Sequence, residues 1–542
     1  MTKIVSPLPL SSLNAKVPDD HLSFSSLKEL DALSGILGQE RAIEAIQFGV
    51  AMRRPGYNVF AMGESGTGRS SYVSNYLKSE AKRQVAPNEW TYVNNFSDNR
   101  SAKALSFAPG CAKVFEQELR LFIDGLMATF PAAFEHPNYQ QQKSAIDRDF
   151  NELYEAAITK VEKAALKMSV AMFRDANSVS FAPMRDGKAL EDNEFASLSD
   201  DERDDFQDNV SVLEQSLNDE LLGLPQWKRA TYESVRKLNL ATVEEAVETL
   251  IRPLFESYQD NEEVTIYLKA MREDLDKILI DQMVDDKASE NRDDVSRRQM
   301  YEELYLPNIV ATHTLDGGTP VIYEAHPTYR NLFGQVEYSS DQGMLVTGYR
   351  LIRSGSLHAA NGGYLILDAD KLMADHYLWE ALKRALKSKT LKIEQPYADM
   401  GLMNTTTLVP EDIPLHVKVI LIGSREIYYL LQDLDPDFQD MFRVLVDFDD
   451  TLKRNADTEH AFARLLKDRI AKENYADVSR DGVASLIEYS SRLAEHQKEM
   501  VAKIGDVFEL LGEADFVREM AKDEITTKDH IKRALKAKMY RT

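Results

Sequence analysis

Residues 57–70 read YNVFAMGESGTGRS. The apolar run at 57–62 has the look of a strand buried on both faces of a parallel sheet. Glycines at 63, 66 and 68 follow, and SSYVSNYLKSEAKRQ after them reads as a helix. Strand, glycine loop and helix are the context in which glycine, four residues, glycine, cation and Ser/Thr means a phosphate-binding loop. Such a loop works because successive backbone N–H groups wrap phosphate oxygens at a helix N-terminus. Gly63, Glu64, Ser65, Gly66, Thr67, Gly68, Arg69 and Ser70 fit the pattern at every position but one. Arg69 stands where lysine is usual. Arginine keeps the charge, but its guanidinium is larger and planar, and the exchange is not conservative in a tight loop. Ser70 is placed to offer a hydroxyl to magnesium.

Working outward, ILGQERAIEAIQFGV (36–50) carries apolar residues at helical spacing, and WTYVNN (90–95) reads as the next strand. From about Gly110 to Arg298 strand-like runs nearly vanish. Val264, Leu268, Met271, Leu275 and Ile278 alternate steps of four and three, a coiled-coil-like seam, and Ile146, Phe150, Leu153, Ala157 and Val161 form a second stripe. SVSFAPMRDGKAL (178–190) reads as a hairpin with Asp186-Gly187 at its tip. LSDDERDDFQD (198–208) and DDKASENRDD (285–294) are polar breaks. Strands return with IVATHTL, PVIYEA, QVEYSS, YLILDA, TLKIEQ, HVKVILIG and RVLVDF, and from Leu452 onward the pattern is helical.

Three further pieces carry chemistry. NGGYLILDADKL (361–372) is an apolar strand ending at Asp368, which could hold the water shell of a magnesium ion. A glutamate that polarises water would be expected next, but Ala369 stands there. Asp370, two places on, would share a face with Asp368 if the strand continued. VKVILIGSREIYYLL (417–431) ends a strand at Ser424, a polar group that could sense a γ-phosphate. Arg443, before RVLVDF, could reach a neighbouring subunit's nucleotide, or be an ordinary surface charge. Arg492 could contact the γ-phosphate from a lid, or be an ordinary helix-surface arginine.

The 542 residues allow three or four domains, and 43% hydrophobic residues can fill their cores. A net charge of −24 argues against a general nucleic-acid binder, including a nucleic-acid motor. Cys111, the only cysteine, excludes an internal disulfide and a cysteine-rich zinc site. No apolar run approaches the ~20 residues that would span a bilayer, and the first residues lack a secretory apolar segment.

The order GQERAIEAI, GESGTGRS, SGSLHAANGGYLILDADKLM, VILIGSREIYYLL and DPDFQDMFRV resembles the AAA+ module of bacterial Lon-like proteases that carry a long helical insertion after the second strand. HPTYRNLFGQVEY (326–338) and GSLHAANGG (355–363) are its most specific pieces. The resemblance implies an α/β P-loop core with a parallel sheet, an inserted helical domain and a C-terminal helical lid. The implied segments are an N-terminal stretch (1–35), first core part (36–110), insertion (111–300), second core part (301–450) and lid (451–542). It makes Gly63–Ser70 Walker A and Asp368 Walker B. Ser424 becomes sensor one, Arg443 a finger acting between subunits and Arg492 sensor two. Tyr329 or Phe333 would touch substrate in a pore, or simply pack a turn. ATP and Mg2+ are the implied cofactors. The implied assembly is a cytoplasmic homo-hexamer that threads unfolded or damaged protein into a Ser–Lys protease domain, expected beyond Thr542 because no loop like PKDGPSAG occurs here. Arg69 and Ala369 depart from the family pattern and put hydrolysis in doubt. They leave open a ring-forming scaffold or substrate-docking chamber.

Overall fold

Val59, Phe60, Ala61 and Met62 are all buried, and burial on both faces selects a parallel central strand, β1 (Val59–Met62). In the computed structural model, which describes residues 15–33, 35–174, 179–185, 187–190, 192–195, 198–284, 294–341, 344–394 and 408–541, two compact units emerge. One comprises residues 1–115 with 307–542, the other residues 116–306. Asp186, residues 285–293 of the second polar break and the last residue of TLKIEQ lie outside the described residues.

In the first unit α1 (Glu40–Ala51) leads to β1, and α2 (Arg69–Ala81) follows the glycine loop. Then come β2 (Glu89–Val93), β3 (Lys103–Phe107), β4 (Asn308–Ala311) and β5 (Val321–Glu324). After them are β6 (Tyr364–Asp368), α3 (Ala369–Met373), α4 (His376–Ser388), β7 (Lys418–Gly423), α5 (Arg425–Leu434) and β8 (Val444–Asp447). Five strands make one parallel sheet in the order β8–β1–β7–β6–β5. β1 thus lies between two strands that come last in the chain, a switch of order that opens a crevice at the carboxyl ends.

The structure corrects one expectation here. WTYVNN does form a strand, but β2 pairs antiparallel with β3 and β4 in a separate small sheet. The second strand of the parallel sheet is PVIYEA, so the helical insertion precedes it. Glu89 at the start of β2 is buried and accepts from the backbone N–H of Ala112 at 2.8 Å and of His313 at 2.7 Å. One carboxylate thereby ties down the chain both where it leaves this sheet and where it returns.

The C-terminal region packs four helices, Ala456–Glu473, Arg480–Leu493, Gly505–Ala521 and Lys528–Arg541, around its own core. Leu22, Phe24 and Leu27 from the start of the chain join that core. A two-stranded antiparallel ribbon, Thr451–Lys453 with Glu499–Val501, borders it.

The second unit is mostly helical. Val264, Leu268, Met271 and Leu275 are fully buried, but the next buried position is Leu279, with Ile278 half-buried; the period drifts from 3.5 toward 3.6. In the other stripe only Ala157 and Val161 are buried, and Leu153 is exposed. Val179–Arg185 pairs with Lys188–Ala189 as a hairpin and also with Val170–Arg174. Among the described residues no helix is long and apolar enough to cross a membrane.

His358, in the short helix Ser356–Ala359, is fully buried. Its Nδ1 accepts from the Gly355 N–H at 3.2 Å, and its Nε2 has no partner. Burial pushes its pKa down to about 3, so between about 6.5 and 3 the unfolded chain binds a proton that the folded chain does not. Stability should therefore fall as pH drops through that window, by ~1.4 kcal/mol per pH unit from this group. Denaturant melts between pH 7 and 4 should show a shallower fall for His358→Gln than for wild type.

Candidate functional site: a glycine loop at the sheet's carboxyl edge

In the parallel register Met62 of β1 faces Gly423 of β7, and Asp368 of β6 faces Ile422. Gly63, Ser424 and Asp368 therefore leave three adjacent strands at the same edge. Gly63, Gly66 and Gly68 have φ of 154°, 91° and 83°, a region that favours glycine. A Cβ on Gly63 would also lie 2.9 Å from the Cβ of Phe448. Thr67 is buried, and its hydroxyl donates to the Glu64 carbonyl at 2.9 Å, holding the turn. The loop ends at the N-terminus of α2, where orphan N–H groups and the helix dipole favour an anion. Ser70 is exposed, with no partner among the described residues.

Arg69 is the departure that matters. Its Nη1 donates to the carbonyls of Gly63 and Gly423, at the exits of β1 and β7. The guanidinium is thus spent on protein carbonyls and braces two strands. Burial lowers its pKa, against the opposing pull of Asp370, Asp368 and Glu64.

Asp368 ends β6 half-buried and caps α3, accepting from the Lys371 N–H at 3.2 Å. One carboxylate oxygen is used in the cap, which leaves the other for a cation's water shell. The strand stops there, so Asp370 lies in the first turn of α3 and the expected two-residue alternation fails. The turn of the chain still leaves Asp370 exposed and within electrostatic reach of Arg69. Ala369 is fully buried, and its Cβ sits 2.9 Å from where a Cβ on Gly423 would be. A glutamate at 369 would have no room without moving β7.

Ser424 caps α5, accepting from the Ile427 N–H at 3.3 Å. Arg425 beside it pairs with Asp447 at 2.9 Å and with Asp450, and donates to the Phe448 carbonyl at 2.7 Å. This knot joins the end of β7 to the connection between the sheet and the C-terminal ribbon.

Arg443 begins β8, so it lies at the opposite edge of the sheet from the loop. It is exposed, 3.1 Å from Asp440, with its guanidinium over the Tyr57 ring. Arg492 lines a groove formed by the C-terminal helices and Ala15, and no described contact brings it to residues 63–70. A cation of the C-terminal region that does lie against the loop is Lys503, which follows the ribbon. A Cβ on Gly66 would lie 3.2 Å from its Cγ and 3.7 Å from its Cε. Sequence reasoning missed it because VAKIG (501–505) has no helical context to mark one lysine among many. Tyr329 and Phe333 are 7% and 3% exposed and stack on each other at 4.7 Å. Both pack into the core of one turn, the second of the two readings the sequence left open.

These strand ends, this loop and this sheet order define a P-loop protein of the AAA+ class. Residues 317–449 match the family described as LonB-like, AAA domain; residues 477–541 match the archaeal LonB AAA+ ATPase LID domain; residues 89–122 match the Lon-like LonC helical domain. The chain thus carries a Lon-like AAA+ module with its lid. It is 30% identical over 105 residues to a protein of Escherichia coli (strain K12) described as a Lon protease homolog, a match covering 19% of this chain and 17% of that protein. The solved structure of NtrX from Brucella abortus overlaps 39% of this chain and 44% of its own with a TM-score of 0.25 and 14% identity, which bears on neither fold nor function.

Lys503→Ala should weaken ATP binding about five-fold, ~1 kcal/mol for an exposed charge, while Arg492→Ala should leave it unchanged. Titration of both variants with a fluorescent ATP analogue distinguishes the two residues.

Proposed function

We propose that this chain is the nucleotide-binding, polypeptide-handling portion of a Lon-like protease, binding Mg-ATP on residues 63–70 and turning it over slowly. The contact of Arg69 with the Gly63 and Gly423 carbonyls carries this reading. The backbone cradle, the α2 N-terminus and the Ser70 hydroxyl fit a phosphate with its magnesium, and Asp368 fits the metal's water shell. The usual lysine clamp is replaced by an internal brace. When bound, Mg-ATP would supply the chemical energy for moving substrate. The residues here would orient it, with Lys503 over the loop and Ser424 at its end. With Ala369 buried where a water-polarising carboxylate is expected, turnover should lie two to four orders of magnitude below that of a fully equipped site. Arg443, pointing away from its own loop, suits a finger for a neighbouring copy in a homo-hexameric ring. The partners proposed are unfolded or damaged polypeptides in the cytoplasm and a Ser–Lys protease domain in the same longer chain.

The engagement of Arg69 also favours a second reading, a non-hydrolysing ring or docking chamber in which the loop is scaffold. Calorimetric titration with Mg-ATP, together with a phosphate-release assay, separates the two. Weak binding that Ser70→Ala further impairs supports the first; binding and oligomeric state both indifferent to Ser70→Ala support the second. Tight binding with rapid turnover contradicts both. Arg69→Lys, which keeps the charge as a compact, mobile ammonium in place of a planar guanidinium, should raise ATP affinity about ten-fold and lower the melting temperature.

A further inference from the structure

At the other end of the parallel strands lies a cavity of about 600 Å³. Its walls include Asn58 just before β1, Tyr364 at the start of β6 and Lys418 at the start of β7. Five cationic side chains line it, Arg53, Arg54, Arg83, Lys389 and Lys418, and no aspartate or glutamate does. In a chain of net charge −24 such a concentration needs a cause.

Helix ends explain part of it. α1, α2 and α4 all finish here, and C-terminal carbonyls attract cations. Lys418 plainly serves α1: its Nζ donates to the carbonyls of Gly49 at 2.6 Å, Met52 and Tyr57 at 3.0 Å. Burial, with Arg53 nearby, lowers its pKa to about 8. Arg83 has a carboxylate, Glu80, at 3.2 Å. Arg53, Arg54 and the exposed Lys389 remain. Arg53 and Arg54 are exposed beyond the end of α1, where Lys418 already takes the Gly49 and Met52 carbonyls. Neither pairs with a carboxylate among the described residues, and Arg53 crowds a like charge instead of escaping it.

We propose that this cavity is a second anion site, separate from residues 63–70, that takes a free phosphate-rich small molecule held chiefly by Arg53 and Arg54. Its volume falls in the range of small-ligand clefts, ~300–1,000 Å³. Arginine forks match phosphate oxygens in pairs, and several cations in one concavity call for a multivalent anion. The site stands or falls apart from the nucleotide loop, because the length of the sheet separates them.

Inorganic pyrophosphate, titrated calorimetrically into the full chain, tests this. Wild type should show two sites. Gly68→Val, which places valine at a φ of 83° that it rarely adopts, should remove one of them. Arg53→Ala/Arg54→Ala should weaken the other at least ten-fold, and the matching lysine pair should retain most of it. Sedimentation should show no ligand-driven association. Because wild type alone gives the count of two, the result does not hang on the folding of Gly68→Val. A single site lost with Gly68→Val overturns the proposal and leaves the cations to the helix ends. So does binding indifferent to both arginines, or binding that appears only with self-association, which would make the cavity a contact for a second copy.

Discussion

One guanidinium organises the carboxyl edge of the sheet. Arg69 opens α2, turns back over its own loop and donates to the carbonyls that end β1 and β7. These carbonyls have reached the end of their strand ladders, where a half-buried acceptor without a partner would be costly. Bracing them fixes the loop against the neighbouring strand and sets a positive charge among Glu64, Asp368 and Asp370. A lysine, a point charge on a flexible stem, could leave these carbonyls and swing toward a phosphate, whereas the larger planar guanidinium is held against both.

The rest of the edge is consistent with that brace. Ala369 packs flat where a longer carboxylate would strike β7, and Asp368 gives one oxygen to the cap of α3. Arg425 knots the strand end at Ser424 to Asp447 and Asp450, beside the entry to the C-terminal ribbon. That ribbon delivers Lys503 to the loop. The edge therefore carries a glycine-loop backbone cradle whose own residues are mostly occupied with holding one another.

The same sheet has a chemically different opposite edge. Strand polarity sends Arg443 there, along with Arg53, Arg54 and the half-buried Lys418. Three helices finish where the strands begin, so the positive charge at that edge has a built-in source of stabilisation. The two ends of one short sheet thus present an amide cradle and a cluster of cations.

The glycine loop, the strand before it, the carboxylate at 368, the polar end at 424 and the helical character of about 110–298 were legible from local pattern. Each depends on neighbours in sequence: glycines permit positive φ, unbroken apolar runs demand burial, and heptad-like spacing demands a partner helix. What pattern could not assign was pairing. WTYVNN satisfies every local rule for a strand, yet hydrogen bonds to β3 and β4 because Glu89 pins it there. Whether Asp370 shares a face with Asp368 depended on where β6 stops, and an N-cap ended it. The direction of Arg69, the burial of Tyr329 and Phe333 and the placement of Lys503 instead of Arg492 at the loop are contacts between residues far apart in the chain. The sequence alone determined which chemistry was present and on what kind of element. Only the tertiary structure decided which carbonyl, ring or phosphate cradle each side chain met, because long-range packing sets those distances and no local spacing encodes them.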